Sequence, residues 1–188
     1  MKTIKIRVWT DKTNVRCEQT TADEEMKQHD QKFFARFMGD REEAMINKQK
    51  LDAGQPIEPG QRLRVGNHGS HADHVRIHLS HKNQYQIEWS TDQEGLNFKV
   101  HIQRDPELLL VQEGVPNEIT ANEGIDNLFQ NNGFPMPGSF GKPAVSGPIK
   151  DENDPALKQR YYKYKVTNDA GKIAFDPHIE GHPTNDGL

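Results

Sequence analysis

Only one cysteine, Cys17, occurs among the 188 residues, which excludes an internal disulfide and any thiolate cluster within one chain. Apolar residues make up only 32% of the chain and mean hydropathy is −0.93. Both are low for a compact fold of this length, so an economical core is diluted by long polar segments. No apolar run approaches the ~20 residues of a membrane-spanning helix. The start, Met1-Lys2-Thr3-Ile4-Lys5-Ile6-Arg7, alternates charge and apolar residues and contains no signal-peptide core, so a cytoplasmic protein is expected. Neither sign of charge dominates: 24 Lys and Arg against 28 Asp and Glu leave −4, too weak a field to call for nucleic acid or a membrane partner. Catalytic signatures are missing as well, with no G-x-S-x-G, H-E-x-x-H, P-loop or paired-cysteine motif. These absences point to a non-enzymatic protein with no cofactor.

What is present is strand grammar. Near the end, Tyr162, Tyr164 and Val166 alternate with Lys163 and Lys165, the two-residue period of a half-buried strand. Asn168-Asp169-Ala170-Gly171 supplies turn chemistry. Ile173 and Phe175 resume the alternation up to Pro177, which marks the end of pairing. A closing β-hairpin with one apolar face is expected. At the other end, Ile4, Ile6 and Val8 oppose Lys5, Arg7 and Trp9, giving a first strand, and residues 11–20 read as polar loop.

Thr21-Ala22-Asp23-Glu24 fits a helix capping box. The helix it starts is expected to end at Gly39, with Met26, Phe33, Phe37 and Phe34 as its apolar stripe. Asp40-Arg41-Glu42-Glu43 offers a second cap, and a second helix with Ala44, Met45, Ile46 and Leu51 closes at Gly54. This two-helix excursion over residues 21–53 either packs on a sheet or serves as an oligomerisation element. Beyond it, Leu63 and Val65 alternate with Arg62 and Arg64. Three further runs follow: Val75, Ile77 and Leu79; Tyr85, Ile87 and Trp89; then Leu96, Phe98, Val100 and Ile102. Turn-length gaps join them, so a meander within one sheet is predicted. Leu108 to Val111 reads as a strand buried on both faces. Residues 114–155 form a long Gly-, Pro- and Asn-rich loop, pinned by Leu128, Phe129, Phe134 and Phe140. The expectation is a mainly β fold, an antiparallel β-sandwich spanning residues 1–181 as one domain, with a tail at 182–188.

Val145-Ser146-Gly147, Tyr162-Lys163-Tyr164-Lys165-Val166 and Asp176-Pro177-His178-Ile179 resemble the C-terminal end of small bacterial β-sandwich proteins related to cupredoxins. The strand around Trp89 is similar to their central strand, and the likeness covers residues 75–179. It implies a cupredoxin-like sandwich, but no blue-copper site. That centre takes two His, a thiolate and a weak axial ligand, with the Cys between the last two strands in that family. Here that loop is Asn168-Asp169-Ala170-Gly171.

Two clusters remain as candidate sites. His68, His71 and His74, with Asp73, can converge on Zn²⁺ or Cu²⁺ from a flexible loop, although the same residues also make a polar surface loop. His74 and His78 lie four strand residues apart, ~13 Å, too far to share an ion. The second cluster is a basic outward face: Arg62, Arg64, Arg76, His78, Lys99 and His101, with Glu88 between the outer strands. It either holds an anionic ligand or acidic partner, chiefly through Arg76, His78, Lys99 and His101, or only keeps the sheet soluble. The loop 133–138, with Phe134 and Met136, is a further possible binding lip. The expected role is binding of a protein partner or homo-oligomeric assembly. A metal-binding protein or metal-dependent enzyme using the His68–His81 region, and an anion or carbohydrate binder, are the alternatives.

Overall fold

The computed structural model describes residues 1–12, 14–20, 24–66, 77–80, 84–111, 128–131, 135–150, 158–174 and 178–182. Strand β1 (Lys2–Asp11) buries Ile4, Ile6 and Val8 and exposes Lys5 and Arg7, as its alternation requires. The segment expected to be loop is instead strand β2 (Asn14–Gln19), antiparallel to β1. Val15 is buried, and Cys17 packs partly buried against the core. A sheet-edge strand needs few apolar side chains, which is why its composition reads as loop.

Helix α1 (Glu24–Asp52) runs unbroken for 29 residues, which corrects the expectation of two helices divided at Gly39. A glycine inside a helix costs about 1 kcal/mol. Here Gly39 faces open space, and contacts on either side outweigh that cost. Phe37 meets Tyr161 edge-on at 5.9 Å between ring centroids. The Tyr161 hydroxyl donates to Asp40, so Asp40 makes a tertiary bond where a cap was expected. Asn47 Nδ2 donates to the Arg62 carbonyl at 2.8 Å. The expected stop at Gly54 is present: Gln55 N–H donates to Lys50 O and Gly54 N–H to Leu51 O, both at 2.9 Å, with Gly54 at φ 76°. This is the Schellman arrangement, which needs a left-handed residue where Gly54 stands.

The remaining strands are β3 (Arg62–Leu63), β4 (Ile77–Ser80), β5 (Tyr85–Ser90), β6 (Asn97–Arg104), β7 (Leu109–Leu110), β8 (Met136–Ser139), β9 (Ala144–Val145), β10 (Tyr161–Asn168), β11 (Ile173–Ala174) and β12 (His178–His182). They make a four-stranded sheet, β2-β1-β5-β9, a six-stranded sheet, β4-β12-β10-β6-β8 with β11 beside β10, and the pair β3-β7. Most pairings are antiparallel, but β1 with β5 and β12 with β4 are parallel.

The predicted meander does not form. β5 pairs with β1 and β9 in the first sheet, while β4 and β6 lie in the second, separated by β12 and β10. Each run has one apolar face, as its period says, but alternation does not encode which strand lies alongside. Gln93 Oε1 accepts from Thr10 N–H at 2.9 Å, tying the β5–β6 connection to β1 rather than to a hairpin. Two strands, β8 and β9, also lie within the stretch expected to be loop. Of its four aromatic and aliphatic pins, Leu128 and Phe129 are fully buried and Phe140 is exposed. Phe134 lies outside the described residues.

Both large sheets contribute to one core. Ile4, Ile6, Val8, Ile87 and Trp89 come from the first; Phe98, Val100, Ile102, Tyr162, Tyr164 and Val166 from the second. Trp89 meets Tyr164 edge-on at 5.3 Å, a geometry that favours aromatic pairs. The closing hairpin is present, with Val166 opposite Ala174 and Asn168 Oδ1 accepting from Ala170 and Lys172 N–H. Two details differ from expectation. Tyr161 and Lys163, of the opposite phase, are also buried, so β10 begins enclosed on both faces. Pairing also resumes after Pro177, because β12 joins β10 to β4.

Replacing Tyr164 by Ala should cost about 3–5 kcal/mol in denaturant titration, since it opens a cavity against Trp89. Gly138 lies opposite Phe98 on β8, and a Cβ there would come within 2.2 Å of the Phe98 ring. Gly138→Ala should therefore destabilise the fold by about 1–3 kcal/mol through overpacking. A loss under about 0.5 kcal/mol for either variant would show that this core contact is not formed.

Candidate functional site

The structure divides the basic face anticipated from sequence. His68, His71, His74 and Arg76 lie outside the described residues. His78 is on β4, where its register partner is Glu180 of β12. Lys99 and His101 are on β6, three strand positions away, at about 4.8 Å per step. Glu88 does not sit between them, because β5 is in the other sheet, where Glu88 pairs in register with Lys5. Beside Lys99 and His101 the register sets Thr167 and Lys165 of β10, and the His101 ring lies 3.2 Å from the Thr167 hydroxyl. Thus Lys99, His101 and Lys165 share a face, and His78 stands apart from them. Among the described residues, no group of three or more His, Cys, Asp or Glu converges as a metal site would require.

Arg62, expected to point outward, is buried. Its guanidinium donates to the carbonyls of Gln159 at 2.5 Å and Lys158 at 3.1 Å, and lies 5.1 Å from the Tyr161 ring centroid. Burial pushes its pKa down, with Asp40 opposing that shift. Beside it, the nearly enclosed Glu107 carboxylate lies 3.5 Å from both Arg41 and Arg64. Gln159 completes the joint, accepting from Leu110 N–H and donating to the carbonyls of Leu108 and Tyr161. Arg62 and Gln159 direct their donors to backbone carbonyls, and Glu107 is held by charge between Arg41 and Arg64. The chemistry is that of a joint which docks the helix, and a two-residue alternation in sequence gives no sign of it.

The joint fixes which side of α1 faces in. Phe37, Ala44 and Asn47 are buried, while Met38, Gly39, Glu42, Met45, Ile46 and Gln49 line an open groove of about 560 Å³ on the opposite side. Eight large hydrophobic residues are exposed among the described residues, and five of them (Phe34, Met38, Met45, Ile46 and Leu51) belong to this helix. Exposed hydrophobics scattered singly need no explanation, whereas a stripe at helical spacing marks a contact surface. The sequence sets Met45, Ile46 and Phe34 in helices that either pack on a sheet or serve oligomerisation, without saying which of them face outward. Their exposure depends on how the helix is rotated, which the joint decides. Compared with family models, curated proteins and solved structures, the chain matches none.

Arg62→Ala should leave the Gln159 and Lys158 carbonyls without their donor and destabilise the fold by about 1–3 kcal/mol. Hydrogen exchange over α1 should quicken more than over β1. Equal acceleration in both elements, or none, would show that Arg62 does not hold the helix.

Proposed function

We propose that this protein is a non-enzymatic β-sandwich module that assembles with itself, using the outward stripe of α1 as its contact surface. The observation that carries the reading is the exposure of Met38, Met45 and Ile46 on the side of the helix away from Phe37, Asp40 and Asn47, which hold its other side. The sandwich rests on the single core shared by the two large sheets, with Trp89 of one against Tyr164 of the other. A role without chemistry accords with the enclosed joint, whose titratable groups are engaged in holding the fold. Met38 and Met45 are suited to such contacts, since methionine adapts its shape to the surface it meets.

Static light scattering over an about hundredfold concentration range tests the reading, because self-association follows mass action. The mass should rise above the 21.5 kDa of one chain. Met38→Gln combined with Met45→Gln keeps charge and helix propensity, and both positions are exposed. It should weaken association by at least roughly tenfold and leave folding stability within about 0.5 kcal/mol. A mass that stays at one chain throughout would overturn the reading.

A further inference from the structure

We infer that Lys99, His101, Lys165 and Thr167, on the outward face of β6 and β10, form a binding site for a phosphate group. The site lies apart from the stripe of α1, so it stands or falls independently of the assembly reading.

Phe98, Val100 and Ile102 of β6 and Tyr162, Tyr164 and Val166 of β10 enter the core, so the alternate residues project from the other face of the sheet. The register sets Lys99 opposite Thr167 and His101 opposite Lys165. Side chains directly opposite have Cβ atoms about 4.5–5.5 Å apart, and diagonal ones about 7–8 Å apart. Two ammonium groups on long stems and one imidazole can therefore converge on a single anion. The His101 ring lies 3.2 Å from the Thr167 hydroxyl, which adds a neutral donor to the set.

The sign of the charges separates this face from an ordinary solvated exterior. On the first sheet the outward charges alternate: Lys5 stands in register with Glu88, and Arg7 meets Asp92 at 2.8 Å and Glu18 at 3.5 Å. On the second sheet, the described positions across from Lys99, His101 and Lys165 are Thr167, Pro137, Lys165 and His101, with no carboxylate among them. Lys163 continues the row of cations, opposite Gln103. The carboxylate of Asp169, beyond Thr167, is bound to Asn97 Nδ2 at 3.1 Å. Like charges set side by side on a sheet repel, and a bound anion offsets that repulsion. Burial also falls along β10, from Lys163 at 1% exposure to half-buried Lys165 and Thr167, while Lys99 on β6 is exposed. The site is thus enclosed at one end and open at the other, and partial withdrawal from water strengthens attraction between charges. A phosphate group, with about two negative charges at neutral pH and at least three acceptor oxygens, matches these donors.

The test is a titration with sodium phosphate near neutral pH and at constant ionic strength, read by amide chemical shifts. The amides of Lys99, His101, Lys165 and Thr167 should move saturably, with a Kd of about 10 mM or tighter. Those of Lys5 and Arg7 should not move. Lys99→Gln combined with Lys165→Gln should weaken binding by at least roughly tenfold, since each change removes a charge-assisted contact. Lys99→Gln alone, at an exposed position that leaves the fold intact, should weaken it by at least about threefold. A parallel titration with O-phosphoserine distinguishes the source of the group. Tighter binding than phosphate assigns an esterified phosphate, and equal or weaker binding assigns the free ion. Shifts reproduced by sodium chloride alone, a lack of saturation, or unchanged affinity in Lys99→Gln would each overturn the site.

Discussion

A single buried guanidinium sets much of what this protein presents to its surroundings. Arg62 gives up water to reach the carbonyls of Lys158 and Gln159 and the face of Tyr161. A buried charge is tolerated only when its hydrogen bonds replace those of water. Those bonds hold the start of β10 against the β3–β7 pair, and Tyr161 in turn holds Phe37 and Asp40 of the helix. The rotation of α1 about its own axis follows from these contacts. Its inward and outward faces follow from that rotation.

The two halves of the architecture are stabilised differently. Between the large sheets the contact is apolar and aromatic, with Trp89 and Tyr164 at its centre, and its worth scales with buried area. Between helix and sheets an apolar cluster of Phe37, Ala44, Leu108 and Tyr161 is joined by directional polar contacts through Asn47, Asp40, Arg41 and Glu107. A directional joint specifies orientation more sharply than a greasy one, because each donor must find its acceptor.

Local chemistry was well legible in the sequence. Ile4, Ile6 and Val8 were read as inward and Asn168 to Gly171 as a turn, and both are so. Gly54 was read as a helix stop, and it takes the left-handed conformation that only glycine adopts freely. The basic face was less legible. His78 and Lys99 are close in sequence pattern, yet three strand positions separate their strands. Arg62 alternates with Leu63 as a surface arginine would, and it is buried.

Although β2, β8, β9 and the unbroken helix escaped it, the sequence by itself determined local pattern: which residues of β1, β5, β6 and β10 alternate, where the Asn168 turn and the Gly54 stop fall, and that one cysteine makes no internal disulfide. These depend on backbone conformation and on contacts within a few residues, which a linear pattern records. Tertiary structure alone decided that β5 leaves β4 and β6 for β1, that Gly39 stays helical, and that Met38, Met45 and Ile46 face outward. Each of those outcomes turns on partners far along the chain: Tyr161 for Asp40, Thr10 for Gln93, Gln159 for Arg62. Alternation says that a strand has an apolar face, and only the folded chain says against what that face is laid.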